Sequence, residues 1–155
     1  MKVIDTHSHL NFNAFKKDSD EVIKITLAED IWMINVGTKY ETSVSAVALA
    51  EKYQKGVFAA VGLHPMYSAA EFIKLKTDPN EGEFLIKEQD FDKERYKELA
   101  LSGSRRVVAI GEIGLDYHHF HTEEERKTQE ALFLQEIELA RSLDLPIVIH
   151  SRKAE

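Results

Sequence analysis

Short runs of apolar, often β-branched residues alternate along this chain with longer stretches whose apolar positions recur at helical spacing. Five runs read as strands: Lys2–Thr6, Trp32–Val36, Val57–Gly62, Val107–Gly111 and Pro146–His150. They are nearly continuously apolar, which predicts parallel strands buried on both faces. Helical patterns lie between them at Asp18–Asp30, Glu41–Gln54, Lys93–Leu101 and Glu123–Leu143. The last opens on the capping box Thr122-x-x-Glu125 and carries Phe133, Ile137 and Ala140 on one stripe. Gly56 is placed to end the second helix. The βα alternation predicts an α/β fold, a parallel sheet with right-handed crossovers. From Ser68 to Asp92 the rhythm breaks. That segment is polar, contains Asp78-Pro79-Asn80 and Gly82, and reads as a surface insertion, with a lid over the strand ends as the other reading.

Composition narrows the chemistry. The 155 residues suffice for one domain with a real core, and there is no low-complexity tract. Without cysteine, the chain has no disulfide, no thiolate metal site and no Cys nucleophile. No apolar run would span a bilayer and the N-terminus lacks the apolar core of a signal peptide, so no membrane association is expected and the cytoplasm is the expected compartment. The formal net charge of −7 has the wrong sign for gripping nucleic acid by wide phosphate neutralisation. A nucleic acid substrate would be held locally, by bound cations and a few basic side chains.

The candidate chemistry sits at the strand ends. In Val3-Ile4-Asp5-Thr6-His7-Ser8-His9, alternate residues share a face, so Asp5, His7 and His9 are expected to project together. Two imidazoles and a carboxylate suit zinc, and also manganese or magnesium if carboxylates complete the shell. His64 follows the third strand, Glu112 the fourth, and His150 closes the fifth. Ligands delivered from the ends of several strands are how parallel α/β folds build active sites. Gly111 and Gly114 flank Glu112 and free the backbone where the strand is expected to turn. Glu112 would then point into the mouth, where one carboxylate can bridge two cations. Asp116 reads as a residue that orients a ligand or caps the following turn. His118, His119 and His121 read as exposed loop histidines. Ser8 and Ser151 lie outside any G-x-S-x-G elbow. Arg152 and Lys153 read either as a contact for a substrate phosphate or as a solvated charge pair.

Together these segments resemble the TatD family of metal-dependent deoxyribonucleases and hydrolases. The likeness is carried by Ile4-Asp5-Thr6-His7-Ser8-His9-Leu10, Val61-Gly62-Leu63-His64-Pro65, Ala109 to Tyr117, Leu145 to Arg152, and the helix from Gln129 to Leu143. The resemblance implies a TIM-type (β/α)8 barrel, of which residues 1–155 form a partial domain of about five βα units. It implies two divalent metal ions (Mg, Mn or Zn), with His7 and His9 on the first, Glu112 bridging both and His150 on the second. By the same likeness Glu112 and His64 serve catalysis, His64 near the scissile phosphate, and a metal-activated water cleaves phosphodiesters of DNA. The family pattern continues with a further histidine and an aspartate beyond Glu155. The expectations are therefore a truncated enzyme, a barrel completed by a second chain or a homo-oligomer, or a non-catalytic half-barrel that binds metal or a partner. Amide or lactone hydrolysis on the same scaffold is the other enzymatic reading.

Overall fold

The structure is a computed structural model that describes residues 1–68, 73–75, 84–86, 89–102 and 105–154. In chain order the elements are β1 (Val3–Ser8), α1 (Ser19–Ala28), β2 (Ile31–Val36), α2 (Tyr40–Glu51), β3 (Val57–Val61), β4 (Ile73–Leu75), β5 (Phe84–Ile86), α3 (Lys93–Ser102), β6 (Val107–Asp116), α4 (Glu123–Leu143) and β7 (Ile147–Arg152). Single 3-10 turns at Asn13–Phe15 and Pro65–Tyr67 follow β1 and β3. The strands β1-β2-β3-β6-β7 form one parallel sheet in that order, the wall of a barrel of α/β type. All five predicted strands and all four predicted helices are present. The antiparallel pair β4–β5 lies within the predicted insertion. The turn at Asp78-Pro79-Asn80 and Gly82 falls outside the described residues.

The sheet separates two apolar layers. Ala59, Val61, Met33, Ile110 and Ile113 pack with Ile23 of α1, Leu49 of α2, Leu99 of α3 and Leu139 of α4. Ile34, Val36, Ala60, Ala109 and Val148 form the small cluster on the opposite face, as the two-residue period of strands requires. Burial on both faces holds for β3 and most of β6, but not for the flanking strands. Val3 of β1 is 57% exposed and Ile149 of β7 is 55% exposed, because each has a neighbour on one side only among the described residues. No helix among the described residues is long and apolar enough to cross a membrane.

Three local expectations are corrected. The strand predicted to turn at Gly111 continues to Asp116, because β7 keeps pairing with it from Ile113↔Ile149 to Asp116↔Arg152. Gly114 has φ +143°, and a Cβ there would fall against the His150 carbonyl oxygen, so its glycine serves close strand approach rather than a turn. Gly56 does not cap α2, which ends at Glu51. It adopts φ +79° immediately before β3, under Leu27 and Trp32. The buried stripe of α4 is Gln129, Leu132, Glu136, Leu139 and Ala140, with Phe133 and Ile137 flanking it. Two polar residues on the inner face displaced the apolar pattern. The capping box is formed as predicted: Glu125 N–H donates to Thr122 Oγ1 (3.2 Å) and Thr122 N–H to Glu125 Oε2 (2.9 Å).

Candidate metal centre

The end of β1 is tied down by β2. The pairing register of these strands shifts between Asp5 and Ser8, where His7 sits. Beyond it, buried Asn35 of β2 accepts through Oδ1 from the Ser8 hydroxyl (3.2 Å) and from Leu10 N–H (3.0 Å). His9 donates from Nδ1 to the Val36 carbonyl (3.0 Å), which leaves Nε2 with its lone pair. Burial lowers the pKa of His9, which favours the neutral ring. Asp5 does not join it. Its carboxylate is exposed and accepts from His7 N–H (3.0 Å), satisfying a backbone donor of its own strand.

Glu112 is the hub. Its Oε2 faces His7 Nε2 at 3.2 Å, and its Oε1 faces His150 Nδ1 at 3.0 Å and His64 Nε2 at 3.7 Å. Two candidate groups result, His7–His9–Glu112 and His64–Glu112–His150, each with one nitrogen or oxygen per residue within 4.8 Å of the others. Burial on its own would raise the Glu112 carboxyl. The His150 hydrogen bond and the charges of His64, His7 and His150 outweigh burial and hold its pKa at about 2. Glu112 is therefore an anion with one oxygen turned to each group, a carboxylate donor suited to divalent cations.

His64 and His150 differ in which nitrogen is free. Met66 N–H donates to His64 Nδ1 (3.1 Å), so the neutral ring carries its proton on Nε2, toward Glu112. Burial brings its pKa down to about 4. His64 thus presents an N–H donor in this arrangement, whereas His9 presents a lone pair. His150 stands between two carboxylates, Nδ1 against Glu112 and Nε2 against Asp116 Oδ2 at 3.2 Å. The Glu112 hydrogen bond, ahead of the opposing effect of burial, raises its pKa. With Nε2–H donating to Asp116, Nδ1 is the nitrogen of His150 that would hold a cation.

Asp116 has partners on both carboxylate oxygens. Its Oδ1 accepts from His118 and His119 N–H (3.0 and 3.1 Å), which caps the turn after β6. Its Oδ2 holds His150 and also accepts from His119 Nδ1 at 2.8 Å. His119 is therefore not an exposed loop histidine, because the strand runs five residues further than predicted and carries Asp116 beneath it. His121 is exposed, and its N–H donates to Glu125. Ser8 is structural, and Ser151, Arg152 and Lys153 are exposed at the end of β7. Sequence reasoning missed Asn35, Gln129 and Glu136, all fully buried. Their signal was a polar side chain interrupting an apolar strand or helix face.

The family model for TatD-related DNases matches residues 4–155. The chain belongs to the TatD-related DNase family. An uncharacterized metal-dependent hydrolase, YabD, of Bacillus subtilis is 34% identical over 153 residues, covering 98% of this chain and 51% of that protein. The 3'-5' ssDNA/RNA exonuclease TatD of Cronobacter sakazakii is 31% identical, covering 98% and 50%. The crystal structure of the TatD homologue YjjV from Escherichia coli K12 superposes with a TM-score of 0.73 at 29% identity, covering 97% of this chain and 51% of that one. The chain spans about half the length of the curated relatives it matches. In this TatD-family chain the ends of β1, β3, β6 and β7 carry two candidate ligand groups.

Proposed function

We propose that this TatD-family chain serves hydrolysis of DNA phosphodiesters with two divalent cations (Mg²⁺, Mn²⁺ or Zn²⁺). His7, His9 and Glu112 would hold one, and Glu112 with His150 the other. The observation that carries the reading is the division of the Glu112 carboxylate, one oxygen toward His7 and one toward His150. Cations bound there supply an acidified water and offset charge on the phosphoryl oxygens. Glu112 remains ionised through the neutral range, so it keeps both groups together. Asp116 orients His150 through Nε2. His64 donates its Nε2–H toward a phosphate oxygen, a role that suits a ring kept neutral by burial.

Arg152 and Lys153 lie next to this mouth, and the Arg152 charge is the first cause lowering the pKa of neighbouring His118. In an acidic chain such a local basic group meets the substrate backbone where a wide basic face is lacking. Residues 1–155 act in this reading as one part-barrel domain, placed in the cytoplasm. The edges of β1 and β7, each with one strand neighbour among the described residues, are where further strands would pair, a second chain or a second copy being one source of them.

The test is restoration of cleavage. Chelator-treated protein is expected to regain activity on a single-stranded oligonucleotide when Mg²⁺, Mn²⁺ or Zn²⁺ is added, and to lose one bound cation in a His7→Ala/His9→Ala variant. Lactones and cyclic amides run beside the oligonucleotide decide the substrate class. Turnover of those alone overturns the DNase reading, and undiminished metal binding by the double variant overturns the ligand assignment.

A further inference from the structure

Helix α4 buries two polar side chains where packing against a sheet calls for apolar ones. Gln129 and Glu136 are both 0% exposed and lie seven residues apart, two turns along the same face. Each reaches a backbone N–H at a strand end. Leu63 N–H donates to Glu136 Oε1 at 2.8 Å, and Asp116 N–H donates to Gln129 Oε1 at 2.8 Å. Gln129 returns a longer bond from Nε2 to the Asp116 carbonyl at 3.4 Å. Leu63 lies past the end of β3, where the sheet ladder has stopped. There the successive N–H groups of Gly62, Leu63 and His64 donate to Ser43 Oγ, Glu136 and the Thr38 carbonyl. Three elements therefore fix the segment that delivers His64.

We propose that Gln129 and Glu136 are positioning residues, setting Asp116 and His64 respectively in register with Glu112. The inference rests on the function proposed above for what those groups do, but not for how they are placed. Polar side chains buried in a helix–sheet contact cost more than leucines unless hydrogen bonds offset the burial, so the hydrogen bonds, not the packing, account for these residues. Burial also pushes the Glu136 carboxyl well above the usual range. A neutral acid accepts from Leu63 without adding a third charge below Glu112 and Asp116.

The experiment uses metal-free protein, with amide hydrogen exchange and the ring nitrogen signals of the histidines as readouts. Glu136→Leu is expected to speed exchange of the Leu63 amide about 10- to 100-fold, the factor that loss of one buried hydrogen bond implies. It should shift the His64 ring signals and leave His119 in place. Gln129→Leu should do the converse, loosening the Asp116 amide and moving His119 and His150. Glu136→Gln, which keeps an acceptor of the same shape, should restore the His64 signals. The shortened arms Glu136→Asp and Gln129→Asn ask for the same separation in a milder form, should the leucine variants not fold. A uniform change at the His64, His119 and His150 rings, or none, overturns the proposal, as does failure of Glu136→Gln to restore His64. None of these readouts uses cleavage of DNA, so the positioning roles and the proposed activity fail separately.

Discussion

The two candidate ligand groups that share Glu112 are built to different standards of rigidity. On the β1 side, the His7 side chain is 38% exposed and stands on a flanking strand whose pairing register breaks beside it. On the β6–β7 side, the His64 side chain is 8% exposed, and His150 is held at both ring nitrogens by carboxylates. Asp116 beneath it is fully buried and itself accepts four contacts. One side of the centre is pre-set by hydrogen bonds that exist without a cation. The other depends on the Asn35 and Val36 anchors that steady the end of β1. Pre-organised ligands lose little freedom on binding, so the buried group should have the stiffer site and the β1 group the more adaptable one.

Removing the shared carboxylate erases the distinction. Glu112→Gln is expected to abolish Mn²⁺ binding at both groups in calorimetry, since each loses its only carboxylate; one retained cation at native affinity would show that a group stands without the bridge. A milder cut sharpens it. Asp116→Asn should weaken only the His150 group, by about 10- to 100-fold as outer partners of ligating histidines do, and should lower the raised pKa of His150 followed by ring signals. Equal weakening of both groups would refute the division.

Acid and base probe the buried side through Glu136. Its folded pKa lies well above 4.5, so the native state holds a proton the unfolded chain releases. The stability linked to that proton is complete below about pH 4.5 and declines as pH rises toward the folded pKa. Glu136→Gln lacks this decline, so its melting temperature should gain on the wild type as pH rises above about 4.5; a constant difference on raising the pH would contradict the assignment. The smallest effect belongs to Asp5→Ala, expected to change stability within about 0.5 kcal/mol and to leave Mn²⁺ affinity alone, because the carboxylate is exposed and faces its own strand. Weaker Mn²⁺ binding in Asp5→Ala would return Asp5 to the metal group.

Much of the centre was legible in the chain. His7, His9, Glu112 and His150 were readable because each sits at the end of an apolar run, and strand ends in parallel sheets share one mouth. Asp116 was readable only as a choice between two roles, since nothing local says that β6 continues past Gly114. His119 was misread for the same reason: its partner is a side chain placed by strand pairing. Gln129 and Glu136 were hidden inside a helix whose apolar stripe was drawn around Phe133 and Ile137.

Periodicity and the order of apolar runs are local properties, written in neighbouring residues, and they alone determined the parallel α/β architecture and the residue types at its mouth. Which nitrogen of each histidine is free, which oxygen of Glu112 faces which group, and which buried polar side chain pins which backbone amide were decided only in three dimensions. Those choices depend on partners up to 105 residues apart, as between His7 and Glu112. Hydrogen bonds are directional and short, and no one-dimensional pattern encodes a direction between strands that meet only when the sheet is assembled.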